Sequence, residues 1–354
     1  MTEMGTAALL KRLNIELPIL QAPMAGVSSP AMAAAVSDAG GLGAIGVGAA
    51  GVKGAREMIA DIRARTTRPF NVNVFAHRPA TPDPAREAAW IDRLRPRFAE
   101  LGGEPPVRLR EIYTSFNVDD AMLAMLLEAR PAVVSLHFGL GDPSRLAALR
   151  QAGIVVLASV TSLAEARQAV VAGVDAVVAQ GYEAGGHRGL FDPHGPDDRL
   201  GTVVLTRLLA ASIDLPVIAA GGLMDGRGIA AALALGAAAA QLGTAYVGTD
   251  ESLADDAYRA ALFGDAAWHT VMTRAISGRP ARCLANRFTA RAVGIDDAAI
   301  PDYPTAYDLG KALNAAGKAA GDGGYGAQWA GQGAPLARRM SAGALTRALA
   351  AELR

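Results

Sequence analysis

Cysteine is almost absent: Cys283 stands alone among 354 residues, so no disulfide can form within the chain. That usage fits a reducing cytoplasm. Net charge is absent too, with 34 basic residues balanced by 34 acidic ones. No basic excess marks a nucleic-acid partner or a membrane surface, and the arginines are spread along expected helix faces. Met1 to Arg12 lacks the basic start, apolar core and small-residue cleavage site of a secretory leader. The longest uncharged run, Gly228 to Thr249, has the length to span a bilayer, but Ala and Gly dominate it and Gln241 and two threonines interrupt it. A helix followed by a buried strand accounts for it, and the expectation is a soluble protein. Apolar residues are what the chain has in quantity. They make up 51% of it against 19% charged, which describes an ordered globular chain of one large domain with an appendage, or of two domains.

Strand-length apolar runs recur at residues 19–24, 42–47, 70–75, 133–139, 155–160, 176–180, 216–221 and 239–244. Amphipathic segments lie between them, at 31–39, 55–65, 119–129, 144–151, 163–172 and 203–211. Runs that are apolar throughout suit strands covered on both faces. Eight strand–helix units predict an α/β fold, a (β/α)8 TIM barrel. Ser28-Ser29-Pro30 and Thr161-Ser162 read as helix starts, and Gly153 and Gly173 as helix stops. Residues 78–110, rich in Pro and Arg, read as an excursion over the barrel mouth. After Thr244 the strand signal ends. The expected division is a barrel over residues 1–245, rejoined by a helix within 331–354, and a smaller, mainly helical lid over 246–330. No internal repeat is evident beyond the alternation itself.

The stretch Gln180-Gly-Tyr-Glu-Ala-Gly-Gly-His-Arg-Gly189 carries the clearest chemistry. It follows a buried strand directly, its glycines let backbone amides approach a ligand, and His187 beside them can move protons near neutral pH. Ala219-Ala-Gly-Gly222 and Gln241-Leu-Gly-Thr244 end the last two strands, where barrels commonly bind phosphate through backbone amides. Gly41-x-Gly43-x-x-Gly46 matches a dinucleotide fingerprint in letters only. Its glycines precede and run through the second strand, and no acidic residue is well placed to hold a ribose, so tight turn and core packing is the reading. Among five histidines, His137 and His187 sit at strand ends facing the barrel mouth, whereas His77 and His269 are expected at the surface. His187, Asp192 and His194 make a poor ligand set, and no metal is expected. Tyr303, Tyr307 and Lys311 recur every four residues and would share one helix face as an anion pocket, although Pro301 and Pro304 argue against a helix before Tyr303.

Together these segments resemble the nitronate monooxygenase family, formerly called 2-nitropropane dioxygenases, and within it the class I bacterial and fungal members. The matching pieces also include Pro18-Ile-Leu-Gln-Ala-Pro-Met-Ala-Gly26, Asn71-Val-Asn73, Ser135-Leu-His-Phe-Gly139 and Trp329-Ala-Gly-Gln-Gly333. They run in order over nearly the whole chain. The resemblance implies one FMN held without covalent attachment, with Met24, Asn73, Gln180, Gly185, Gly222, Gln241, Gly243 and Thr244 around its ring and phosphate. It makes His187 the catalytic residue, with His137, Tyr303, Tyr307 and Lys311 lining the substrate pocket. The implied reaction oxidises an alkyl nitronate, propionate 3-nitronate foremost, with O2 through an anionic flavosemiquinone, giving a carbonyl compound and nitrite or nitrate. Residues 81–106 carry no motif of the family. Two other readings compete: an NAD(P)H-dependent quinone or enoyl-thioester reductase on the same flavin barrel, and a phosphate-binding barrel without catalysis. Monomer and homodimer both stay open.

Overall fold

The computed structural model describes residues 2–353. Each expected apolar run contributes one strand of a parallel sheet: β1 (Ile19–Gln21), β2 (Gly43–Gly46), β3 (Phe70–Phe75), β4 (Val133–His137), β5 (Val155–Val160), β6 (Ala176–Gln180), β8 (Val217–Ala220) and β9 (Ala239–Leu242). Its order is β1-β9-β8-β6-β5-β4-β3-β2. A bridge between Leu20 and Leu42 joins the two ends, with Gln21 N donating to Leu42 O at 2.9 Å. The sheet is therefore a closed (β/α)8 barrel. Leu9 and Leu13 of the helix Thr2–Leu13 pack with Leu20, Leu42, Val133 and Val155, filling the barrel at the amino ends of its strands. The carboxyl ends are left free to hold a ligand.

Local chemistry sets the helix boundaries. Ser29 caps the helix Pro30–Asp38 by accepting from Met32 N at 2.9 Å, and Ser162 caps Leu163–Ala172 by accepting from Glu165 N at 3.2 Å. The glycines of β2 serve close packing, as the sequence suggests. A Cβ on Gly43 would stand 1.9 Å from the carbonyl oxygen of Ala33, so only glycine lets the helix Pro30–Asp38 lie this close to the strand. The C-terminal helix Ala342–Glu352 packs Leu345 and Leu349 against Met32, Val36 and Ile229 on two barrel helices.

Two regions differ from expectation. Residues 84–100 are a single helix, Pro84–Glu100, whose Asp83 cap accepts from Arg86 N at 3.0 Å. Its prolines sit at the first position and at Pro96, and the buried stripe of Trp90, Ile91, Leu94 and Phe98 packs with Leu309 and Leu313 of the helix Thr305–Ala319. The strand signal also continues past Thr244. Strands β10 (Thr270–Thr273) and β11 (Ala281–Leu284) pair antiparallel, and β11 pairs in turn with β7 (Gly186–His187). This second sheet attaches the histidine loop of the barrel to the chain beyond it.

Gly43→Ala should lower the unfolding free energy by about 1–3 kcal/mol, because a buried methyl is forced into backbone. Urea denaturation of the variant measures the loss. An unchanged midpoint would mean the helix can shift away from β2 freely.

Candidate active site

A cavity of about 560 Å3 opens at the carboxyl ends of the barrel strands. That volume falls within the roughly 300–1,000 Å3 of small-molecule and cofactor sites. Met24, Asn73, Gln180, Gly185, Gly222, Gln241, Gly243 and Thr244 all line it, and so do His137, His187, Tyr303, Tyr307 and Lys311. The sequence had spread these positions over 288 residues, from Met24 to Lys311.

One end is built from backbone. Gly221 and Gly222 turn the chain after β8 at φ values of +120° and +70°. Among the described residues, the amides of Gly222, Gly243 and Thr244 donate to no atom of the chain. Amides left free at these partly exposed turns can take an acceptor from outside, and a phosphate supplies several. A Cβ on Gly185 would lie 2.4 Å from Gly331 N, so the loop after β6 and the segment near residue 331 touch through backbone. Thr244 Oγ1 secures that contact by accepting from Gly331 N at 2.9 Å. Deeper in, Asn73 donates from Nδ2 to Ser135 O at 3.0 Å and to Ser135 Oγ at 2.9 Å, and among the described residues none donates to its side-chain oxygen.

The other end is built from side chains. The carbonyl of His187 accepts from Gln180 Nε2 at 2.9 Å and from His137 Nε2 at 3.2 Å. Gln180 Oε1 in turn accepts from Gly189 N at 2.7 Å, so the Gln180 amide clamps the whole turn. The His187 ring reaches Ser277 Oγ through Nε2 at 2.9 Å and lies 5.3 Å from the Tyr303 ring and 5.0 Å from Trp329. Lys311 Nζ lies 5.0 Å over the face of Tyr113 and 5.6 Å from the Tyr307 ring centre. No carboxylate comes within 4.0 Å of it among the described residues. Arg188, adjacent to His187, turns away and forms a two-pronged pair with Asp197 at 3.0 and 2.9 Å.

Burial dominates the electrostatics. It lowers His187 to about 3, assisted by the nearby His137, Arg279 and His77. It lowers His137 to about 4 against the pull of the His187 carbonyl, and holds Tyr303 and Tyr307 protonated. It also draws the Lys311 ammonium below its ordinary value, with Asp308 acting in the opposite sense. Asp255 is the one carboxylate on the described lining, and Lys318 neutralises it at 2.6 Å. The cavity thus offers neutral imidazoles, phenol hydroxyls and a cation. It suits an anion.

Six positions depart from the sequence reading or were missed by it. His77 is not at the surface: it is fully buried, its ring 5.1 Å from Tyr303, and neither ring nitrogen has a hydrogen-bond partner. It lies in the loop after β3, which folds inward beneath Phe138 and Tyr303. Tyr303 precedes the helix Thr305–Ala319, so only Tyr307 and Lys311 share a helical face, yet all three line the cavity. Tyr113, Phe138, Tyr258 and Trp329 also line it, although none was named as a site residue. Phe138 follows His137 directly, so a strand ending in the barrel mouth was the available signal for it. Tyr113 lies in a segment without motif or periodicity.

Three histidines make stability depend on pH: His77 is buried, and His137 and His187 are half-buried in the cavity wall. His77, at about 4, His137 and His187 all lie below the unfolded value near 6.5. The unfolded chain therefore binds more protons between about pH 6.5 and 4, and the stability these groups confer is full above that window and lost as pH falls through it. Each histidine contributes up to about 2 kcal/mol of loss between pH 6.5 and 5. His77→Phe should flatten the fall in urea midpoint from pH 7 to 5, since it removes one buried ring with unpaired nitrogens. A fall as steep as before would show that His77 is already protonated in the fold.

The sequence description of the family called Nitronate monooxygenase matches residues 6–352. A nitronate monooxygenase of Paraburkholderia phytofirmans is 59% identical over 350 residues, covering 99% of this chain and 96% of that one. One of Pseudomonas aeruginosa is 55% identical, covering 97% of each. The solved structure of a nitroalkane oxidase from Streptomyces ansochromogenes superposes with a TM-score of 0.89 at 42% identity, over 98% of this chain and 97% of that one. The chain belongs to the nitronate monooxygenase family of oxidoreductases.

Proposed function

We propose that the chain binds FMN and oxidises alkyl nitronates with O2, propionate 3-nitronate being the substrate class that fits best. The observation that carries this reading is one cavity with two unlike ends: free backbone amides at Gly222, Gly243 and Thr244, and unopposed Lys311 with neutral histidines at the other. The first end fits the FMN phosphate. Met24, Asn73, Gln180, Gly185 and Gln241 lie where the flavin ring would rest. When bound, FMN supplies the electron acceptor. By the same reading, residues 1–245 with 331–354 form the cofactor-holding unit, and residues 246–330 cover the substrate.

The side chains then have distinct tasks. A nitronate is already an anion, so Lys311 and the hydroxyls of Tyr303 and Tyr307 hold it by charge and hydrogen bonding. A neutral nitroalkane must first lose its α-proton. Ser277 Oγ donates to Arg279 O at 3.3 Å, so His187 donates its own Nε2–H to Ser277, and Nδ1 keeps a free lone pair as proton acceptor. The name of the Streptomyces relative, nitroalkane oxidase, agrees with a site that accepts both forms.

The purified protein should be yellow, should release FMN on heating, and should consume O2 with propionate 3-nitronate. Anaerobic NADH should leave the colour; rapid bleaching would instead favour a reductase. His187→Asn should cut kcat/KM for a nitroalkane by about 10²–10⁴-fold, the usual weight of a general base. Turnover of the matching nitronate should fall by less than about tenfold, as no base is needed. Equal losses on the two substrates would remove the base role.

A further inference from the structure

Behind the cavity lies a buried cation that the reaction above does not use. Ser277-Gly278-Arg279 forms the turn between β10 and β11. Gly278 adopts φ +93°, and a Cβ there would meet Pro301 O and Tyr303 N at 2.6 Å, so the turn presses directly on the chain carrying Tyr303. Arg279 is 3% exposed. Its Nη2 donates to Leu190 O, its Nε has no partner, and no carboxylate lies within 4.0 Å among the described residues. Glu165 and Asp192 act on it only at longer range. A buried arginine without an acid is uncommon, because desolvating its charge costs several kcal/mol.

Its guanidinium lies 4.3 Å over the face of Phe138. Phe138 in turn has φ +74°, a region that bulky side chains rarely enter and keep only where their surroundings hold them. The other contacts of that ring define the site: 4.4 Å to His137, 5.5 Å edge-on to His187, 5.3 Å to Tyr303 and 6.3 Å to His77. A cation against one face of an aromatic ring holds the ring and is held by it. Residue 279 also reaches His187 by a second route, since its backbone carbonyl accepts from the Ser277 hydroxyl that meets the imidazole.

We propose that Arg279 is an electrostatic positioning residue, whose unpaired guanidinium clamps Phe138 and, across that ring, sets its positive charge against the imidazole of His187. The proposal rests on His187 acting as the base. Among the groups around His187, Arg279 is the buried permanent charge that no carboxylate offsets. His137 from β4 and His77 from the loop after β3 are held neutral by burial, as are Tyr303 and Tyr307. Lys311 leans on the faces of Tyr113 and Tyr307, and Trp329 carries no charge. Arg188 is neutralised by Asp197. Burial contributes most to the low proton affinity of His187, followed by His137 and then Arg279, which alone of the three carries a permanent charge.

The test compares Arg279→Met, which keeps bulk and loses charge, with Arg279→Lys, which keeps charge. Protein as purified, labelled at its five histidine rings, is titrated by NMR, and His187 is identified by the signal lost in His187→Asn. At the lowest pH where the fold persists, Arg279→Met should show about tenfold more protonated His187 than the parent, and Arg279→Lys should stay near the parent. The acid limb of kcat/KM for a nitroalkane should rise by about one pH unit in the Met variant and recover in the Lys variant. An unmoved His187 titration in Arg279→Met, or a Lys variant that follows the Met one, overturns the proposal. Intact nitroalkane turnover in His187→Asn would instead overturn the base role, a result separate from either titration.

Discussion

The carbonyl oxygen of His187 is the point on which the site turns. Two side chains from two barrel strands, Gln180 and His137, donate to it, and Gln180 also takes the amide of Gly189. Each such hydrogen bond adds only about 0.5–1.5 kcal/mol to stability. Their value here is geometric. A proton acceptor has to be held within about 0.5 Å of its working position, and a glycine-rich loop cannot do that alone. The loop gains rigidity because β7 is also an edge of the second sheet, paired with β11. His187 is thus fixed from the barrel through its carbonyl and from the far sheet through its backbone and ring. Loosening either attachment moves the imidazole relative to the other.

The same enclosure sets the charge of the cavity. Burial strips protons from the imidazoles and retains them on the phenols, so the lining is neutral apart from Lys311 and the Asp255–Lys318 pair. In such surroundings a cation acts over longer distances than it does in water, because little solvent intervenes. On the proposed function, an anionic substrate would gain from Lys311 while the histidines remain free of positive charge. The arrangement has a thermodynamic cost. His77 keeps two buried polar atoms without a partner and Tyr303 and Arg279 one each, and a fold optimised only for stability would not retain four such atoms around one aromatic ring.

Much of this was legible in the sequence because the barrel repeats one simple signal. Runs such as Val155 to Val160 are apolar without alternation, and glycine turns close the last two strands, so both the strand count and the amide-lined end follow from local pattern. His137 and His187 were found because a histidine at the carboxyl end of a barrel strand has only the mouth to face. Elements whose existence depends on distant partners were hidden. β7 is two residues long, and β10 and β11 are four each, with Arg282 inside β11. Nothing local in them shows that residue 187 will pair with residue 281. The burial of His77 arises likewise from the inward path of a loop, which no periodicity encodes. Pro84 and Pro96 disguised a regular amphipathic helix, since proline at the first helical position favours a helix whereas Pro96 lies inside one.

The Tyr303–Tyr307–Lys311 stripe shows how spacing and geometry part company. On one continuous helix the two tyrosines would stack on the same face and point the same way. The helix starts only at Thr305, and this frees Tyr303 to lie against His77, Phe138 and His187, while Tyr307 meets Trp329 and Tyr113 one turn along. Two identical side chains four residues apart therefore share His187 and Tyr113 as neighbours but differ in their other contacts. Tyr303 packs among His77, Phe138 and His187, and Tyr307 lies beside Lys311. The prolines that made the helix doubtful in sequence coincide with its start at Thr305, so the irregular start of the helix decides which neighbours each tyrosine meets.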